Sequence, residues 1–165
     1  MSGEGGSFKP VPEKQAQDLP GTERDMIPTS ESTKLQGKDD FHEYRAANKL
    51  HGSKALITGG DSGIGRSIVV LFAREGADVS IVYLPEEQKD AQDTKRMVED
   101  EGRKCVLIAG DLMDNETCRK AVQKHVDEYG KLHILVNDAS KQIMCGDFKD
   151  IDLENVESTF RRCLP

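Results

Sequence analysis

The sequence predicts an α/β fold built on a doubly wound parallel sheet, and three observations carry that prediction. After Leu50, short apolar runs alternate with amphipathic ones. The apolar runs are hydrophobic on both faces, and a glycine-rich loop joins the first of them to the next helix-like run. Strands buried on both sides need helices above and below. Right-handed crossovers then wind the chain over both faces.

The elements follow in order. Lys54–Thr58, "KALIT", reads as a strand, followed by the loop and a helix from about Gly63 to Glu75. Ile64, Ile68, Leu71 and Phe72 are expected on its buried face, with Gly76 as the C-terminal stop. Asp78–Tyr83 is a second strand; a helix over about Glu86–Glu101 turns Ala91, Met97 and Val98 inward and stops at Gly102. Lys104–Ala109 is a third strand. Asp114 caps a helix to Tyr129 that buries Cys118, Ala121, Val122, His125 and Val126, and Gly130 ends it. Leu132–Asn137 is a fourth strand. Asp152 caps a last helix with Leu153, Val156 and Phe160 on one side. The reading is therefore a Rossmann-type sheet, truncated after the fourth strand and one further helix.

Residues 1–50 differ in composition. Four of the six prolines (Pro10, Pro12, Pro20 and Pro28) fall there, among Gly, Ser, Lys and Glu. Such a segment buries too little apolar area to offset its ordering entropy, so an extended or disordered tail is expected. Residues 51–165 are expected to form a partial dinucleotide-binding domain. The 165 residues suffice for one domain, and a mean hydropathy of −0.61 fits a core diluted by a polar tail. The net charge of −7 excludes nucleic acid and anionic membrane surfaces as partners, which need clustered cations. No apolar run is long enough for a membrane span, and the N-terminus lacks the apolar core of a secretory signal. The four cysteines form no CxxC pair and the four histidines show no ligand spacing. Reduced thiols, no metal and a cytoplasmic location are expected.

The loop reads Thr58-Gly59-Gly60-Asp61-Ser62-Gly63-Ile64-Gly65, between a strand and a helix start, where a dinucleotide site requires it. Gly59 allows the turn out of the strand. Gly63 is expected to let backbone N–H groups meet a pyrophosphate at the helix N-terminus, and Gly65 to let helix and sheet pack closely. The alternative is a glycine-rich turn without ligand.

The TGxxxGxG spacing resembles the fingerprint of the short-chain dehydrogenase/reductase family. Asp111-Leu112 after the third strand and Asn137-Asp138-Ala139-Ser140 after the fourth are similar to two further landmarks of that family. The resemblance implies that Asp111 meets an adenine amino group, and that the Asn137–Ser140 stretch lies beside the adenine ribose and the sheet. The stretches "QAQDLPGTERDMIP", "TGGDSGIGR" and "YLPEEQKDAQDT" resemble the glucose/ribitol dehydrogenase-like subgroup, over about Gln17 to Arg161. That subgroup implies an oxidoreductase acting on CH–OH groups of sugars or polyols, or on carbonyls, and a homo-tetramer for full-length relatives. The implied cofactor-binding residues are Gly59, Asp61, Ser62, Gly63, Ile64, Gly65, Tyr83, Asp111, Leu112, Asn137 and Ala139. An acid closing the second strand would repel a 2′-phosphate, but Val82-Tyr83-Leu84 supplies none. Ser62 stands where NADP-preferring relatives often carry a cation, and Asp61 adds negative charge. Arg66 is the nearest cation, or simply a solvated one. The reading leans slightly toward NADP, with NAD the alternative.

The family's catalytic Tyr-x-x-x-Lys is missing: Asn48, Glu87 and His133 stand four residues beyond Tyr44, Tyr83 and Tyr129. The family's Ser lies on elements past Pro165, and Cys163 takes the place of its Asn. No catalytic residue is assigned. Without a fifth strand, the fourth is expected to be an exposed edge and the chain marginally stable. Two alternatives stand beside the oxidoreductase reading. One is an inactive isoform that only binds NAD(P) or pairs with intact subunits. The other is a different nucleotide-binding class such as a methyltransferase.

Overall fold

The computed structural model describes residues 21–26, 30–37, 41–141, 143 and 145–163. A short antiparallel pair, β1 (Lys34–Gln36) and β2 (Phe41–Glu43), precedes the sheet. The sheet itself contains β3 (Lys54–Thr58), β4 (Asp78–Tyr83), β5 (Cys105–Ala109) and β6 (Ile134–Asn137). All pair in parallel, in the order β5-β4-β3-β6. Helices α1 (Gly63–Arg74), α2 (Gln88–Asp100), α3 (Asn115–Tyr129) and α4 (Leu153–Cys163) follow the expected order. This is the doubly wound α/β sheet the alternation predicts.

Strand alternation divides the core between the two faces. Ala55, Ile57, Val79 and Ile81 face α1 and α2, where Val69, Ala73, Ala91 and Val98 meet them. Leu56, Val82 and Ile108 face the other way, toward Ala121 of α3. On that second face Ser80 Oγ lies 2.7 Å from His125 Nδ1, and burial lowers the imidazole pKa, favouring the uncharged ring.

Helix faces are where the structure departs most from the expected pattern. In α1 the buried residues are Gly65, Arg66, Val69, Val70 and Ala73, while Ile64 is 72% exposed at the first turn. Ile68 and Phe72 pack only at the margin of the core. The run "SIVVLFA" offers two apolar stripes, and the small residues Gly65 and Ala73 let the helix approach the sheet along the other one. In α2, Met97 is exposed and Thr94 buried; in α3, Val122 is exposed. Leu153 and Phe160 of α4 also lie exposed. Among the described residues β6 pairs with β3 alone, the edge position expected for it, and Leu135 is 51% exposed.

The expected tail meets ordered elements in its described part, whereas residues 1–20 lie outside the described residues. Charge, rather than apolar area, anchors it. The Glu75 carboxylate accepts N–H groups of Ala47 (3.2 Å) and Lys49 (2.7 Å) and the hydroxyl of Tyr44. Arg74 donates to Glu43 (2.8 Å) and to the Tyr44 carbonyl (3.1 Å). Further upstream, a 3-10 turn at Glu23–Asp25 docks against α1 and α2. Among the described residues no helix is long and apolar enough to cross a membrane, and no cluster of three metal-ligating side chains occurs.

Candidate functional site

At the C-terminal ends of the strands, β3 pairs with β4 on one side and β6 on the other: the chain winds outward from β3 through β4 to β5, then crosses back through α3 to β6, so its winding direction reverses at β3. Such a switch point opens a crevice by topology alone. Here it is a cleft of about 530 Å³.

Nine of the eleven residues singled out as cofactor-binding line it. Gly59, Asp61, Ser62, Gly63 and Ile64 come from the loop after β3; Tyr83 ends β4; Asp111 and Leu112 follow β5; and Ala139 follows β6. Gly65 and Asn137 do not line the cleft. Gly65 serves the fold instead: a Cβ there would stand 2.0 Å from the Gly59 carbonyl oxygen. Gly59 is pressed in turn, since its Cβ would lie 2.9 Å from the Ala139 Cα. Asn137 closes the β3–β6 pairing opposite Thr58, whose hydroxyl accepts the N–H groups of Asp138 and Ala139, both at 3.1 Å. Asp111 both lines the cleft and accepts the Met113 N–H at 3.0 Å.

The first turn of α1 is the electropositive pole of the cleft. Its amides are not equivalent. Gly63, with φ at +52°, donates its N–H to the Glu23 carboxylate at 2.5 Å, so this amide, expected to meet a pyrophosphate, already has an anion. The Gly65 backbone faces the Asp138 carboxyl, whose pKa burial raises while that neighbouring backbone lowers it. Ile64 N–H has no acceptor among the described residues. This amide is open to a ligand.

Arg66, a candidate for a solvated cation, is buried at 7% exposure. Its Nε and Nη2 donate to the Asp61 carbonyl at 2.9 and 2.6 Å, and Nε donates to Thr94 Oγ1 at 2.8 Å. Glu23 stands 3.3 Å from its Nη1, and Asp90 lies 3.9 Å from Nη2. Arg66 is thus committed to holding the loop against α2.

The pattern reading missed Glu87, which also lines the cleft. Burial, then the neighbouring Asp61, Asp90 and Glu86, push its carboxyl up to about 7. Burial likewise raises Asp61, with Asp90 adding to the effect. An acid four residues beyond the end of β4 is carried back by the 3-10 turn Pro85–Glu87, whose Leu84 N–H donates to Glu87 at 3.2 Å. Gly21 and Lys141 were also missed, whereas Asp138 and Ser140 fall within the Asn137–Ser140 stretch. For Gly21 the local pattern holds no signal, because its place in the wall comes from docking of a distant segment.

Known proteins share this arrangement. A family model described as short chain dehydrogenase matches residues 53–164. General stress protein 39 of Bacillus subtilis is 46% identical over 153 residues, covering 93% of this chain and 51% of that protein. Glucose and ribitol dehydrogenase of Daucus carota is 38% identical over 162 residues, covering 95% of this chain and 52% of that protein. The chain thus spans about half the length of these curated relatives. Among solved structures, a short chain dehydrogenase from Burkholderia cenocepacia in complex with NADP is 35% identical. It superposes with a TM-score of 0.63 over 68% of this chain and 45% of its own. One from Mycobacterium paratuberculosis bound to NAD is 32% identical, with a TM-score of 0.62 and the same coverage of both chains. Because the family match takes in the four sheet strands and the loops that shape the cleft, this chain belongs to the short-chain dehydrogenase family.

Proposed function

We infer that the cleft binds a nicotinamide dinucleotide, and that the whole protein is an oxidoreductase acting on CH–OH groups of sugars or polyols or on carbonyls. The open Ile64 N–H at the head of α1, facing a crevice at the strand switch point, carries this reading. A diphosphate fits that donor and the helix dipole. Two similar structures, one in complex with NADP and one bound to NAD, support dinucleotide binding. The bound group would supply a hydride acceptor or donor. The residues described here bind and orient: Ile64 N–H takes a phosphate oxygen, while Asp111 and Leu112 flank the adenine.

Within these 165 residues no Tyr-x-x-x-Lys occurs, which favours binding without turnover by this chain. Titrating the purified chain with NADH is expected to give saturable fluorescence changes, with no polyol oxidation above background. A flat titration would refute the reading.

The cleft also bears on which dinucleotide binds. The sequence lean toward NADP rested on the absence of an acid closing β4. The fold supplies Glu87 beside Asp61 in the cleft, and Arg66 is spent on its own carboxylates. We therefore place NAD ahead of NADP. Like charges at this range are worth about 1 kcal/mol or more in a half-buried site. Glu87→Gln is expected to tighten NADPH binding about tenfold and change NADH binding less than threefold. In the wild type, discrimination holds above about pH 7, where Glu87 is charged, and falls as pH drops through that value and the carboxyl neutralises. An NADH-to-NADPH affinity ratio that does not move with either change would count against Glu87.

A further inference from the structure

The structure assigns a part of the dinucleotide site to a segment far outside the family match: Gly21–Asp25 clasps the glycine loop, and Glu23 is the positioning residue that holds the loop in shape. The assignment rests on the dinucleotide reading of the cleft. The segment lies 40 residues upstream of Gly63, and the family match begins only at residue 53.

Three contacts make the clasp. One Glu23 oxygen accepts the Gly63 N–H at 2.5 Å. The other stands 3.3 Å from Arg66 Nη1, with both side chains almost fully buried. The Glu23 N–H donates to Asp90 Oδ2 at 3.1 Å, which ties the segment to α2. The grip therefore spans the loop, the first turn of α1 and the neighbouring helix.

Its placement separates a clasp from a competitor. Gly21 lines the cleft, whereas Glu23 does not. Glu23 holds the loop from behind while the residue two positions earlier forms part of the wall. A phosphate displacing Glu23 would strand the buried Arg66 guanidinium with only Asp90, at 3.9 Å, as a carboxylate partner. Glu23 thus stays in place when ligand enters. By fixing the left-handed Gly63 amide on its own carboxylate, it leaves the next amide, Ile64, turned to the cleft.

The test uses the full chain and NADH as the probe. Affinity is measured for the wild type, Glu23→Gln, Glu23→Ala and Gly21→Phe, alongside hydrogen exchange of residues 59–66 without NADH. Glu23→Ala is expected to weaken NADH binding about tenfold or more and to speed exchange in the loop, with β3 and β4 unchanged. Glu23→Gln keeps an acceptor for the Gly63 N–H and should fall between alanine and wild type, a graded rescue that general destabilisation would not give. Gly21→Phe leaves the Arg66 pair intact and should weaken NADH with an unaltered melting temperature. This variant keeps the test decisive if Glu23→Ala does not fold. Wild-type affinity in Glu23→Gln and Gly21→Phe would overturn the clasp alone, and tighter binding on loss of Glu23 would make it a competitor instead. A wild type that binds no NADH would overturn the dinucleotide reading and the clasp's role with it.

Discussion

Gly65→Ala is expected to destabilise the chain by about 3 kcal/mol or more and to abolish measurable NADH binding. The added methyl would sit 2.0 Å from the Gly59 oxygen and 2.7 Å from its carbonyl carbon, and both are backbone atoms. Gly59 cannot yield easily. Its N–H is bonded to the Val82 carbonyl at 2.8 Å, and its other side faces the Ala139 backbone. Either α1 lifts off the sheet or the β3 turn shifts, and both displace the Ile64 amide. Gly102→Ala is the control: it needs a left-handed backbone (φ +72°), but nothing stands within 4 Å of the new Cβ. Its cost should be only about 1 kcal/mol. Urea unfolding of the two variants side by side measures the difference, and equal midpoints would show that the Gly59–Gly65 contact does not matter.

The second large effect is expected at Arg66. Removing its guanidinium in Arg66→Ala takes the cation from the buried Glu23 carboxylate, and takes three donated hydrogen bonds from the Asp61 carbonyl and Thr94. Breaking a buried pair by deleting one partner costs about 3 to 5 kcal/mol. Arg74→Ala removes a comparable number of contacts near the surface, where Glu43 is more than half exposed. There the loss should be about 1 kcal/mol or less, because water replaces the partner and salt already screens it. Thermal melts of both variants settle the ranking. If Arg74→Ala proves the more damaging, the buried network around the loop is not what holds it.

These two sites show how far a local pattern reaches. Gly59, Gly63 and Gly65 were legible because a strand, a tight turn and a helix start leave their mark within eight residues. The parallel, doubly wound sheet was legible for a similar reason: apolar runs alternating with amphipathic ones need crossover helices that cover both faces. Asp114 and Asp152 were legible as caps, since each accepts an N–H only two residues on, Glu116 at 3.0 Å and Glu154 at 2.9 Å. Arg66 was not. Its spacing places it on a helix, but only docking of α2 and of Glu23 decides that a charged side chain is buried there.

The same division runs through the whole chain. Sequence alone determined the parallel sheet, the glycine turn and the crevice at the strand ends, because backbone conformation and hydrophobic period are set among near neighbours. Tertiary structure alone decided which stripe of α1 meets the sheet, that Glu87 returns to the cleft, and that Glu23 takes the Gly63 amide. Those outcomes depend on electrostatic and steric contacts between residues up to 40 positions apart, and separation along the chain erases the signal that periodicity carries.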